Sequence, residues 1–433
     1  MKAMLEMVRR HRAGEPVGIT SVCSAHPLVI RAALGHAQAS GADALIEATS
    51  NQVNQNGGYT GLTPAQFRDV VFGLADAAGL PRARVLLGGD HLGPNPWQDE
   101  PAQPALERSQ VLIRQYVGAG FRKIHLDCSM SCADDPRRLP DELIASRTAL
   151  LAAAAEDSWH THGGEPPVYV IGTEVPVPGG AHESLQELLV TAPAAAQATL
   201  AAHRAAFLEH GLEAAWERVV GLVVQPGVEF DHDRVIDYVP GKARRLSAWL
   251  EEVPRLLVFE AHSTDYQRGT SLAALVHDHF AILKVGPALT FALREAVWAL
   301  DQLECEWLGR ERAAGVRATL LATMHADPRH WRKYYHATGH ALELELQYSL
   351  SDRIRYYWPA PAVVASLERL AASFASRRPP LALLHQYLPG AYEPVRSGAL
   401  SPRLDELVIH HVREVLAQYS AACNPPTQER SMP

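Results

Sequence analysis

Eight short apolar runs, each closing on polar residues, recur along the chain. They are PVGITSVCSAH (16–26), ALIEATSN (44–51), RVLLGGDH (84–91), KIHLDCS (123–129), PVYVIGTE (167–174), GLVVQPGVE (221–229), LLVFEAHS (256–263) and AILKVGP (281–287). Their length and their Val, Ile and Leu content predict strands buried on both faces. Between them lie stretches such as PLVIRAALGHAQASG and AQFRDVVFGLADAAG, apolar at helical spacing and stopping at glycine. Eight alternating strand and helix units predict a closed parallel sheet, an α/β fold of the (β/α)8 TIM barrel class, over residues 1–300. A doubly wound open sheet is disfavoured, because no G-x-G-x-x-G follows the first strand and no G-x-x-x-x-G-K-[ST] occurs. From residue 301 the helical pattern continues without the repeat, which predicts a C-terminal helical extension (301–421) packed on the barrel. The last residues, 422–433, ending NPPTQERSMP, read as a disordered tail.

A barrel of this class places its active site at the C-terminal ends of its strands. The polar residues there are His26, Glu47, Asn51, Asp90, His91, Asp127, Glu174, Gln225, Glu229, Glu260, His262 and Lys284. Each alone is explained by a cap or a satisfied buried group; gathered at one rim they point to function. The third run is the most telling. In a regular strand Asp90 and His91 face opposite ways, so sharing one site requires a bend, and Gly88 and Gly89 make one cheap. Two histidines and several carboxylates are the usual ligands of zinc and related divalent ions. No H-x-x-x-H pair lies among these strand-end residues, so such a site depends on the barrel bringing distant strand ends together.

Composition narrows the partners. The 433 residues are 47% hydrophobic and 20% charged, with a net charge of −8, and Lys and Arg form no long stripe. Nucleic acid is therefore not an expected partner. No apolar run reaches the length of a membrane span, and the opening MKAMLEMVRRHRAGEPVG carries charge where a signal peptide is apolar. Five scattered cysteines without a C-x-x-C pair predict reduced thiols and a cytoplasmic setting. Three further features stay open. SMSCADD has Ser129 and Cys132 without a fixed base, a poor nucleophile site. Lys284 reads equally as a Schiff-base amine or as a cation for phosphate or carboxylate. SDRIRYYW sets Arg353 and Arg355 among aromatics, either a packed helix or an anion site.

The words SVCSAHPLVIRAAL, LIEATSNQVNQNGGYTGLTPAQFR, LGGDHLGPNPW, KIHLDCSMSCADD, GTEVPVPGG, VVQPGVEFDH, FEAHSTDYQ, LKVGPALTFALREA and QYSLSDRIRYYWP resemble the GatZ/KbaZ family. That family comprises the so-called non-catalytic subunits of class II tagatose-1,6-bisphosphate aldolase, with relatives that are sugar 4-epimerases. The resemblance implies a barrel related to class II aldolases. It matches Asp90 to the aldolase proton carrier, His91 and His262 to metal-ligating histidines, and Glu174 to a metal-associated glutamate. Gln225 stands where the aldolases have a third histidine, a weaker ligand. The aldolases' glycine-rich phosphate loop is not reproduced in AHSTDYQRG.

Two functions follow as expectations. The first is a metal-dependent ketohexose 4-epimerase of the tagatose and fructose type, working by retro-aldol cleavage and re-addition. Its divalent ion (Zn, or Mn, Co or Ni) would sit on His91, Glu174, Gln225 and His262. Asp90 or Glu260 would relay protons, and Asp127, Glu229, Lys284 and Asn51 would orient the sugar. The alternative is a non-catalytic subunit that stabilises a class II aldolase. Expected partners are a small ketose or ketose phosphate, an aldolase catalytic subunit in the second reading, and further copies of the chain in a homo-oligomer.

Overall fold

Each of the eight apolar runs contributes one strand to a closed parallel barrel in the computed structural model, which describes residues 1–172 and 188–425. The strands are β1 (Ile19–Cys23), β2 (Ala44–Thr49), β3 (Val85–Leu92), β4 (Lys123–Leu126), β5 (Val168–Ile171) and β6 (Val219–Val223). A short antiparallel hairpin, β7 (Glu229–Phe230) with β8 (Val235–Ile236), precedes β9 (Val258–Ala261) and β10 (Ile282–Val285). Closure is made by β1, which pairs β10 from Ile19↔Ile282 to Val22↔Val285 and β2 from Ser21↔Leu45 to Cys23↔Glu47.

The barrel interior divides along its axis. At the N-terminal end, Met1 and, from the helix Lys2–Arg12 that follows it, Met4, Met7 and Val8 pack against Ile19, Leu45, Leu86, Val168, Val258 and Ile282, the first inward residues of their strands. The helix closes that end with apolar side chains, so the barrel is a filled core there. At the C-terminal end the inward residues are polar: Glu47, Asp90, Lys123, His125, Glu260 and Lys284 are all buried. The main apolar core lies outside, between strands and helices.

The extension is not a separate appendage. Its last helix, Leu404–Cys423, packs between the helices Pro27–Ser40 and Gly269–His277, where a (β/α)8 barrel holds its eighth helix. It is tied down by Gly18 N donating to the Cys423 carbonyl (2.8 Å) and by Tyr419 Oη donating to the Thr264 carbonyl (2.7 Å). The helix after β10, Pro287–Leu308, runs through the boundary expected at residue 300, and the last helix runs past residue 421. Residues 426–433 of the expected tail lie outside the described residues. The five cysteines are free, and no helix among the described residues is long and apolar enough to cross a membrane.

Candidate metal centre and active site

Asp90 and His91 do come to one site, but the bend is not where the glycines are. Neither Gly88 nor Gly89 has a positive φ, whereas His91 itself takes φ 45, and the β3–β4 register shifts between Gly89 and Leu92. A non-glycine residue in the left-handed region costs energy that the surroundings must supply, a pattern that gathers at functional sites. The glycines have a different task. A Cβ on Gly88 would lie 2.7 Å from Glu47 Oε1, and one on Gly89 would run into Leu92 and Tyr116. The absent side chain of Gly88 leaves room for the carboxylate of β2 inside the barrel, and that of Gly89 leaves room for Leu92 and Tyr116.

The bottom layer of the site is an ion network. Lys123 Nζ stands 2.7 Å from Glu47 Oε1 and 2.5 Å from Glu260 Oε2, all with no solvent exposure. Lys284 Nζ lies 2.8 Å from Glu47 Oε2, 3.6 Å from Glu260 Oε1, and against Asp90. Three carboxylates and two ammonium groups so alternate in a space closed to water. Burial opposes ionisation of Asp90, but His91, Lys284 and His125 overcome it and hold its carboxyl well below the usual range. Burial equally opposes ionisation of Glu260, outweighed by Lys123, Lys284 and His262. Lys284, despite burial, is held well above its ordinary value by Asp90, Cys23 and Glu47.

Above this layer sit three imidazoles, with ring centroids 4.8–5.4 Å apart. Each has one nitrogen fixed by an acceptor. His91 Nδ1 lies 2.8 Å from Asp127 Oδ2, His262 Nε2 lies 2.9 Å from Glu260 Oε1, and His125 Nε2 lies 3.0 Å from the Gly172 carbonyl. Those acceptors place the ring proton, so in the neutral rings the other nitrogen carries a lone pair. Asp127 is itself held below the usual range: burial opposes this, but the His91 bond and the Ser129 hydroxyl, which donates at 2.6 Å, prevail. Burial pushes His262 down to about 3, leaving it neutral at pH 7.

Asp90, His91, His125 and His262 each offer one ligand atom, all within 4.8 Å of one another. The donor set fits a divalent cation. His125 Nδ1, which accepts the His91 amide at 3.2 Å, also faces Asp90 Oδ1 at 3.1 Å. The outer partners Asp127 and Glu260 orient imidazoles as carboxylates do around metal ions.

Against the expected residues, the placement is uneven. Asp90, His91, Asp127, Glu260, His262 and Lys284 are brought together. Glu174 lies outside the described residues. Gln225 Oε1 accepts from the amides of Gly227 and Val228 (2.8 and 3.0 Å), so its oxygen is committed to a turn. Glu229 is buried and its Oε1 accepts the Phe230 amide at 2.9 Å. Asn51 is exposed, with its carbonyl accepting from Tyr59 N. His26 caps the helix Pro27–Ser40, its Nδ1 accepting the Leu28 amide. Glu260 has both oxygens engaged, which suits it to orienting His262 rather than to moving protons. Sequence reasoning missed His125 and Lys123. The signal was present: in KIHLD, period-two alternation puts residues 123, 125 and 127 on one face.

One solved structure shares this architecture at high sequence identity. A probable tagatose 6 phosphate kinase from Sinorhizobium meliloti 1021 is 48% identical, covering 94% of this chain and 100% of its own, with a TM-score of 0.86. A fructose-bisphosphate aldolase from Campylobacter jejuni is 15% identical over 84% of this chain and 90% of its own, TM-score 0.43. The YdjI aldolase from Escherichia coli K12 is 10% identical over 86% and 98%, TM-score 0.42. Residues 4–424 match the family described as D-tagatose-1,6-bisphosphate aldolase subunit GatZ/KbaZ-like, and the chain belongs to that family.

Proposed function

We propose that the protein is a metal-dependent ketose 4-epimerase working by retro-aldol chemistry. The observation that carries this reading is the convergence of Asp90, His91, His125 and His262 over a sealed Lys–carboxylate network at the catalytic end of the barrel. A chain selected only to bind a partner has no reason to hold so many buried polar and charged groups. The C4 hydrogen of a 2-ketose is not adjacent to the ketone, so its removal as a proton gains no enolate stabilisation. Cleavage of C3–C4, rotation of the aldehyde and re-addition to its other face inverts C4 without an external oxidant.

His91, His125 and His262 would hold the ion, which would supply a Lewis acid for the substrate's carbonyl. The chain's own groups do the rest. Asp90, ionised at pH 7, takes the C4 hydroxyl proton as the C3–C4 electron pair moves toward C2, and returns it on re-addition. Lys284 fixes the Asp90 carboxylate in place and keeps it ionised until it accepts the proton. Asp127 and Glu260 keep two imidazoles turned toward the centre.

The family description favours a second reading, an aldolase subunit without chemistry of its own. Incubating the purified protein with fructose or tagatose and following both sugars by chromatography separates the two. The C4 epimer, lost on chelation, is the outcome of the first; inertness alone with activation of an added class II aldolase is the outcome of the second.

A further inference from the structure

Cys23 lies against the centre and takes no part in the chemistry above. Period-two alternation puts Ile19, Ser21 and Cys23 of β1 on the inward face. Ile19 joins the apolar plug and Ser21 is fully buried, while Cys23, partly exposed, ends the strand beside Glu47 of β2. Gly286 at the end of β10 makes room for it, since a Cβ there would lie 3.0 Å from the Cys23 carbonyl and 3.6 Å from the Cys23 Cβ.

The thiol distinguishes the two oxygens of Asp90. Oδ1 lies against Lys284 Nζ, 3.1 Å from His125 Nδ1 and 3.8 Å from His91 Nε2. Oδ2 instead faces Cys23 Sγ at 3.7 Å. Ser21 Oγ is also 3.7 Å from the sulfur, and longer approaches of 3.9 Å lead to Glu47 Oε2 and the Ser21 carbonyl. A thiol ordinarily keeps its proton at pH 7, and burial, with Asp90 and Glu47 and against Lys284, pushes this one well up.

Cys23, Glu47 and Asp90 each offer a ligand atom within 4.8 Å of the others. A cation among them is opposed by Lys284, whose ammonium touches Asp90 and stands 2.8 Å from Glu47 Oε2. The sulfur therefore acts there as a donor, not as a metal ligand. An oxygen held by an ammonium is a poor base, whereas the weak S–H donor fixes a carboxylate oxygen and leaves its basicity largely intact.

We propose that Cys23 is a positioning residue for the reaction base: its thiol donates to Asp90 Oδ2 and makes that oxygen, not Oδ1, the one that takes the C4 hydroxyl proton and returns it. The thiol proton stays on sulfur throughout. The proposal rests on the epimerase reading above, but the hydrogen bond at its root is measured without turnover.

The infrared S–H band of Cys23 is isolated as the difference between the native protein and Cys23→Ala. It should lie below the band of a thiol in apolar solvent. It should rise in Asp90→Asn, where the amide oxygen keeps Lys284 and the amide nitrogen turns to the sulfur; should that variant not fold, the position of the native band decides. In the metal-loaded protein, Cys23→Ala should lower kcat for epimer formation about tenfold, with KM and divalent-ion affinity each changed by less than about twofold, and Cys23→Ser should recover most of the loss. An unshifted native band, a band indifferent to Asp90→Asn, native kcat in Cys23→Ala, or a loss of ion affinity that matches the loss of turnover would overturn the proposal. An Asp90-dependent band in a protein that forms no epimer under any metal would instead sink the epimerase reading and leave Cys23 as the residue that orients Asp90.

Discussion

Gly88 and His91 show how closely single residues define this centre. Gly88→Ala would press a methyl against the Glu47 carboxylate, which Lys123 and Lys284 hold from the other side. It should destabilise the fold by about 1–3 kcal/mol in urea denaturation, the usual cost of overpacking. Lys123→Met would remove the buried cation that bridges Glu47 Oε1 and Glu260 Oε2, a loss of about 3–5 kcal/mol on the same measurement. Asp127→Asn removes the charge that orients His91 and should weaken divalent-ion affinity by about 10- to 100-fold, read by competition with a fluorescent chelator. That Asp90 and His91 share one site was legible in the sequence. The mechanism of the bend was not, because which residue takes a positive φ depends on the amide of His91 reaching His125 across to the next strand. His125 and Lys123 were passed over for a related reason: inside an apolar run, a polar residue reveals itself only once the inward face of the strand is known.

Among the elements, the N-terminal helix carries the least expected role. Nothing in its charged sequence announced a plug, since its apolar face becomes meaningful only against the open end of a barrel. Met4 is fully buried there, and Met4→Ala should cost about 2–5 kcal/mol. The helix is also bound through His11, whose Nδ1 donates to the Val17 carbonyl (2.7 Å) and whose Nε2 lies 3.0 Å from His279 Nδ1. Burial pushes His11 down to about 4. Between pH 6.5 and 4 the unfolded chain therefore binds a proton that the folded chain refuses, so stability falls with acid through that window and levels off below it. For this one group the loss from pH 7 to pH 5 is about 2 kcal/mol. His11→Gln should shrink the pH 7 to pH 5 difference in unfolding free energy; an unchanged difference would show that His11 does not couple the plug to pH. The strand elements were legible throughout, because runs buried on both faces look alike from every side of the barrel. The last helix was legible as a helix, while its place as the eighth of the barrel follows from long-range packing against Pro27–Ser40 and Gly269–His277.

For the molecule as a whole, one end of the barrel is filled with apolar side chains and the other with paired charge, and the extension completes the outer layer of helices. Fold class followed from the repeat of apolar runs alone. The candidate cluster did not, because His91, His125, His262 and Asp90 are drawn from three separate strands or their ends, and no local spacing announces it. The measurement that bears most directly on the central claim uses the purified protein, loaded in turn with Zn²⁺, Mn²⁺, Co²⁺ or Ni²⁺. It is incubated with fructose or tagatose, and also with their 6-phosphates and uronates, while products are followed by chromatography. The account predicts the C4 epimer with at least one metal, its loss on chelation, and its loss in His91→Ala and His125→Ala together with bound metal. Full epimerase activity in a metal-free protein, or no epimer from any of these ketoses under any metal, would contradict it.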